Sequence, residues 1–134
     1  MLEYKKIDSS CIEDIKEIYS EQGWTAYLQD DERLTRAFDN SLYIYGAFDE
    51  GKLVGFVRCV GDGEHIVLVQ DLIVKEKYQR HGLGTALLKH IFEKYAHVRM
   101  VSLYTDKTDN RSNSFYHKVG LQLAEEKSMV SYVR

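Results

Sequence analysis

A mixed α+β fold, with a mixed sheet of about six to seven strands and four helices, is what this sequence predicts, and three observations predict it. Strand-like segments between Leu42 and Val74 follow one another across short turns, the pattern of an antiparallel meander. A strand, a glycine-bearing loop, an amphipathic helix and a further strand then run from Gln70 to Thr105, and a connection of that length makes a right-handed parallel crossover. No proline, low-complexity run or internal repeat interrupts the 134 residues, so residues 1–134 read as one domain.

The elements follow in order. Glu3 to Ile7 is a short first strand. Ser10 followed by Glu13 fits a capping box opening a helix through about Tyr19, with Ile12, Ile15 and Tyr19 inward. Gly23-Trp24 breaks that helix, and Asp30 or Asp31 caps a second one containing Leu34, Ala37 and Phe38. Leu42 to Phe48 and Leu53 to Val60 form a hairpin around Asp49-Glu50-Gly51-Lys52. Gly61-Asp62-Gly63 turns the chain into a third meander strand, His65 to Val74. A helix with Leu83, Leu87, Leu88, Ile91, Phe92 and Tyr95 on one side follows the loop, and Val98 to Thr105 alternates as a strand. A polar loop, a short helix around Ser112 to Lys118 with Gly120 as its stop, and two strand-like pieces, Leu121 to Leu123 and Ser128 to Val133, complete the chain.

Composition removes several function classes. The 18 basic and 21 acidic residues give a net charge of −3, with no basic footprint for DNA or RNA. No apolar run approaches the roughly 20 residues that span a bilayer, and Met-Leu-Glu-Tyr-Lys-Lys is no signal peptide, so the expected location is cytoplasmic. Cys11 and Cys59 form no CxxC, and no HExxH or other ligand cluster exists, so no metal is expected. Apart from His65, which follows the acidic candidate Glu64 and is the next candidate base, the histidines His81, His90, His97 and His117 read as surface or loop residues.

The loop Gln79-Arg80-His81-Gly82-Leu83-Gly84 is where chemistry concentrates. Glycine tolerates unusual dihedrals, and the helix start brings free N–H groups and partial positive charge, so this stretch suits a phosphate or pyrophosphate. A P-loop is excluded, because the lysine and hydroxyl of GxxxxGK[ST] are missing. The Rossmann fingerprint fits poorly, because Leu87 stands at its third glycine and Lys75 to His81 intervene between strand and glycine.

Gln79-Arg80-x-Gly82-x-Gly84, preceded by Asp71-Leu72-Ile73-Val74, resembles the acetyl-coenzyme A loop of the GCN5-related N-acetyltransferase (GNAT) family. Phe115-Tyr116-His117-Lys118-Val119-Gly120-Leu121 resembles that family's FYxxxGF segment, with Leu121 in place of the last Phe. The resemblance implies acetyl-coenzyme A as cosubstrate, with its pantetheine arm along Leu72, Ile73 and Val74 and its pyrophosphate at Gln79, Arg80, His81, Gly82, Leu83, Gly84 and Thr85. Where the family often carries Asn before the tyrosine, this chain has Asp109, with Asn110 next, so one or the other is expected to meet the coenzyme together with Tyr116.

The implied reaction is acetyl transfer to a small primary amine by direct attack in a ternary complex, without a covalent enzyme intermediate. Tyr116 is the candidate general acid for the departing thiolate, and Asp71 and Glu64 are the acidic candidates for taking the proton of the amine. Trp24 and Tyr27 are the expected substrate-facing residues, and the Gly23-Trp24 loop, Arg58, Gly61-Asp62-Gly63 and Gln70-Asp71-Leu72 together resemble the subgroup that includes arylalkylamine acetyltransferases. The expected assembly is a monomer or homodimer. The alternative in another class is a non-catalytic coenzyme A sensor on the same fold.

Overall fold

In the computed structural model, which describes residues Met1–Arg134, five strands form one sheet in chain order. They are β1 (Leu2–Lys6), β2 (Tyr43–Asp49), β3 (Lys52–Gly61), β4 (Ile66–Val74) and β5 (Met100–Leu103). The first three junctions are antiparallel and β4 to β5 is parallel, so the sheet is mixed, as the meander and crossover predict. The chain groups into two compact units, Met1–Leu103, which holds the sheet, and Tyr104–Arg134.

Helices α1 (Ile12–Glu21) and α2 (Asp31–Asp39) cover one face of the sheet. Ile15, Ile18 and Tyr19 of α1 recur at helical spacing, as do Leu34 and Phe38 of α2, and they bury against Ile44, Phe48, Leu53, Phe56 and Ile73. Each such side chain contributes about 1.5–3 kcal/mol on leaving water. Helix α3 (Leu83–Lys94) buries Leu83, Leu87, Leu88 and Ile91 and lies over the other face, where Tyr43 and Tyr45 of β2 meet it. His90 is a correction to the surface reading. Its ring stacks on Tyr45 at 3.7 Å, its Nε2 sits 2.9 Å from the Tyr43 hydroxyl, and burial holds its pKa below the usual histidine range.

The start of α1 also differs from expectation. Asp8, not Ser10, does the capping: its carboxylate accepts from the Ser10 N–H at 2.9 Å and opens a short 3-10 turn that runs into the helix. The Ser10–Glu13 capping box does not form, since the earlier carboxylate already holds the chain there. Asp30 caps α2 as predicted, accepting from Arg33 N–H at 3.1 Å.

The β3–β4 turn depends on Asp62. Its Oδ1 accepts from the N–H groups of Glu64, His65 and Ile66 at 2.9, 2.8 and 3.0 Å, which pulls its pKa down from 3.8 to about 2. A depressed folded-state pKa stabilises above the unfolded value and is lost as pH falls through the folded one. Asp62→Ala is therefore expected to lower Tm at neutral pH and to flatten the Tm–pH curve between about pH 4 and pH 2, as followed by circular dichroism.

The second unit holds α4 (Asn110–Lys118) and a 3-10 turn, Ala124–Lys127. The two strands expected after Gly120 are absent, so the sheet has five strands rather than six to seven. Sequence preference alone does not make a strand, which needs a ladder partner. Here the Glu126 carboxylate instead accepts the Leu123 N–H at 2.9 Å and draws the chain into the 3-10 turn, and Val130, Tyr132 and Val133 are exposed.

Candidate active site

The middle of β4 is irregular. Arg58 pairs with Asp71 and Cys59 with Val69, which leaves Gln70 as the extra residue of a β-bulge. Beyond the bulge, Asp71 and Ile73 face α1 while Leu72 pairs with Val57 on the α3 side. The parallel ladder to β5 ends at Val69 and Leu103, but β4 continues to Val74. From Gln70 to Val74 the strand therefore has a sheet partner only on its β3 side, which leaves Leu72, Ile73 and Val74 with a free backbone edge.

That edge leads into the glycine loop. The Gln79 amide donates to the Val74 carbonyl at 2.9 Å and to Gln22 Oε1 at 3.3 Å, tying the loop to both β4 and the end of α1. The Glu21 carboxylate accepts the Glu76 N–H at 2.9 Å, and Glu17 takes Lys75 at 3.1 Å, so the approach to the loop is pinned from the same helix. Arg80 and Gly82 adopt left-handed φ of 67° and 85°, and Arg80, His81 and Gly82 are exposed. Gly82 is the N-cap of α3 with no side chain capping it, and the first helical bond is Ala86 N–H to the Gly82 carbonyl at 3.0 Å. The N–H groups of Leu83, Gly84 and Thr85 thus precede the hydrogen-bonded helix, at its positive end. A Cβ built on Gly82 meets nothing within 4 Å, so the space beside this residue is open. The arrangement fits an elongated ligand that ends in phosphate groups.

A second group of residues lies on the α1 side of the bulge. Asp71 is buried, and its Oδ2 accepts from Arg58 Nε at 2.6 Å and from the Tyr19 hydroxyl at 2.7 Å. Its Oδ1 has no partner and is the one buried side-chain polar atom left unsatisfied. The Arg58 guanidinium also lies over the Phe38 ring at 4.9 Å and donates to Ser41 Oγ at 3.2 Å. Tyr19 stacks on Tyr27 at 4.6 Å and on Trp24 at 5.9 Å, and Gln70 Nε2 donates to the Tyr27 hydroxyl at 3.1 Å. Burial, then the Asp71 charge, pushes the Tyr19 phenol far above its ordinary value, so it stays a donor. Trp24, 37% exposed, and the half-buried Tyr27 therefore line a surface rather than fill the core.

Asp71, Trp24 and Tyr27 are expected in the site from the sequence, whereas Arg58 and Gln70 carry only a family resemblance and Tyr19 only a core position, with no contact assigned to any of the three. The signal for Arg58 was present, since a lone guanidinium in the otherwise apolar run Leu53 to Val60 must find a buried anion. Glu64 is exposed in the Asp62 turn, about 20 Å of extended strand from Asp71, and the structure does not bring the two together. Cys59 is buried, its thiol pushed up to about 12, which suits packing and not nucleophilic attack.

In the second unit, Asp109 is the N-cap of α4. Its two carboxylate oxygens accept from the N–H and hydroxyl of Ser112 at 3.0 and 2.7 Å, and Asn110 is the first helical residue. The Asn113 amide donates to the carbonyls of Asp106 and Asp109 at 3.0 and 2.8 Å and fixes the preceding loop. Tyr116 sits on α4 beside Phe115, and burial, with the Asp109 charge adding, holds its phenol above the ordinary range.

Comparison with known proteins decides the family, because the model of the acetyltransferase (GNAT) family matches residues 10–121. The chain belongs to the GNAT acetyltransferase family. The match runs through both compact units. A GNAT-family acetyltransferase from Streptococcus pneumoniae is 33% identical, with a TM-score of 0.85 over 100% of this chain and 97% of its own. PaiA N-acetyltransferase from Thermoplasma acidophilum, solved in complex with coenzyme A, shares the GNAT fold at a TM-score of 0.74 and 21% identity, over 91% of this chain and 90% of its own. An uncharacterized ycf52-like N-acetyltransferase from Prochlorococcus marinus is 27% identical over 69% of this chain and 54% of its own length. The chain spans about half the length of the curated relatives it matches.

Proposed function

We propose that residues 1–134 act as a single acetyltransferase domain that moves the acetyl group of acetyl-coenzyme A to a small primary amine, with arylalkylamines the favoured class. The observation that carries this reading is the continuity of the free β4 edge, Leu72 to Val74, with the uncapped α3 start at Gly82. The edge suits a chain of amides, as in a pantetheine arm, and the loop with Arg80 suits a pyrophosphate. Acetyl-coenzyme A supplies an activated thioester when bound.

The remaining roles belong to the protein. The β4 backbone N–H near Val74 is the group offered to the developing oxyanion. Tyr116, kept protonated by its surroundings, is the donor proposed for the leaving thiolate. Trp24 and Tyr27 form the wall proposed for the acceptor, and the Tyr19–Asp71–Arg58 cluster holds that wall to the sheet. Asp109 is occupied as a helix cap, so Asn110 is the better of the two for a coenzyme contact.

Gly82 gives a specific expectation. Alanine there meets no steric clash but must adopt φ of 85°, so Gly82→Ala should cost about 1 kcal/mol of stability or shift the loop. Coenzyme affinity measured by calorimetry should fall severalfold. The reading itself is tested by thermal shift with acetyl-coenzyme A, NAD and ATP, followed by free-thiol release against arylalkylamines, polyamines, amino sugars and peptides. Stabilisation by acetyl-coenzyme A and thiol release with one amine class is the expected result. Stabilisation without release for any amine would favour a coenzyme A sensor.

A further inference from the structure

Gln70 is the residue at which the free β4 edge and the aromatic wall meet. Tyr43 of β2 pairs with Cys59 and Cys59 with Val69, and Tyr43 meets His90 of α3, so Val69 belongs to the α3 face of the sheet. Asp71 belongs to the opposite face, where it bonds Tyr19 of α1. In a regular strand Val69 and Asp71 would share a face, so the inserted Gln70 is what separates them. Gln70 has no cross-strand partner on β3, and its Nε2 reaches the α1 side and donates to the Tyr27 hydroxyl at 3.1 Å. Leu72, where the stretch proposed for the pantetheine arm begins, follows two positions later.

The two ends of the Gln70 amide differ in what they have left to offer. Nε2 is committed to Tyr27, and Oε1, with its two lone pairs, accepts no hydrogen bond from the protein. Gln70 is exposed, whereas Asp71, 1% exposed, is closed off behind Arg58 and Tyr19. The wall therefore offers an incoming amine a neutral oxygen and withholds the carboxylate behind it. A carboxylate beside an ammonium favours the charged form and raises its pKa, but acyl transfer needs the nitrogen lone pair free. An uncharged carbonyl accepts an N–H from either form and holds the amine without opposing its deprotonation.

Resting on the acetyl-transfer reading, we infer that Gln70 is a specificity-determining binding residue, its Oε1 taking an N–H of the acceptor amine while the Trp24 and Tyr27 rings lie beside the organic part of the molecule. The bond to Tyr27 sets the orientation of the amide. The titratable and charged groups around the pair are Tyr27 itself, Tyr19 from α1, Arg58 from β3 and Asp71 from β4. Arg58 and Asp71 are paired with each other, so the cluster adds no free charge that would fix the amine in its ionised form.

Two substitutions at this exposed position are expected to act with opposite sign. Gln70→Met keeps the length of the side chain and removes the amide, so KM for 2-phenylethylamine should rise about tenfold while kcat stays within about threefold. Gln70→Glu keeps an acceptor oxygen and adds charge, so KM should fall severalfold while kcat at pH 7 drops about tenfold, a deficit that closes as pH rises and the bound amine deprotonates. A residue that only braces Tyr27 gives no such split, and equal losses in both variants, or none, would overturn the inference. The second arm reads no activity. Calorimetric titration of 2-phenylethylamine into the coenzyme A complex should show binding about tenfold weaker for Gln70→Met and severalfold tighter for Gln70→Glu than for wild type, with coenzyme A itself bound alike by all three. Any other order of amine affinities counts against the inference. Wild-type protein that binds coenzyme A but not the amine overturns the role of Gln70 alone, whereas wild-type protein that binds no coenzyme A overturns the acetyl-transfer reading with it.

Discussion

Arg58→Ala is expected to destabilise the protein by about 3–5 kcal/mol, the largest single-residue effect outside the apolar core. Arg58 is 5% exposed and its partner Asp71 1%, so the alanine variant leaves a buried carboxylate without its counter-charge. The penalty is the desolvation of that lone charge rather than the worth of the pair itself. Arg58→Ala also releases Ser41 and uncovers the Phe38 ring, which adds a packing loss to the charge loss. Urea unfolding at pH 7 measures the effect, with a fall in midpoint at unchanged slope as the expected form. Replacing Arg58 and Asp71 together by leucine and asparagine should cost less than Arg58→Ala alone, because no buried charge is then unpaired. A double variant as unstable as the sum of the two singles would refute this account of the cluster.

Tyr116→Phe is expected to lower kcat about 100-fold, roughly 2.7 kcal/mol of barrier, while coenzyme affinity stays within about threefold. The phenol is held above its usual pKa by burial and by Asp109, which keeps the proton in place at neutral pH. A residue that donates only in the reaction lowers turnover without weakening ground-state binding. Steady-state thiol release together with calorimetric coenzyme titration separates the two quantities. An unchanged kcat would make Tyr116 a packing residue.

What could be read from the sequence divides along a physical line. Features set by neighbours in the chain were legible. Asp30 caps α2 because its carboxylate reaches an N–H three residues on, and Gly82 adopts the positive φ that a glycine before an apolar helix suggests. The strand, loop and helix around Gln70 to Tyr95 stand where their apolar spacing places them.

Features set by distant partners were not legible. Asp71 meets Arg58 across 13 positions and Tyr19 across 52, and no local pattern encodes that meeting. His90 reads as a surface residue of α3 until β2 brings Tyr43 and Tyr45 against it. Ser128 to Val133 has the composition of a strand, yet strands exist only as pairs, and a ladder partner is not written in the segment itself. At α1, two local signals competed, and the Asp8 carboxylate prevailed over the Ser10 hydroxyl.

The central claim is that the free β4 edge and the α3 start form one seat for acetyl-coenzyme A. Backbone amide NMR with added coenzyme A tests it most directly, since each N–H reports its own ligand contact. The account predicts saturable shifts concentrated at Leu72 to Val74 and at Arg80 to Thr85. Absence of binding, or shifts confined to other parts of the sheet, would contradict it.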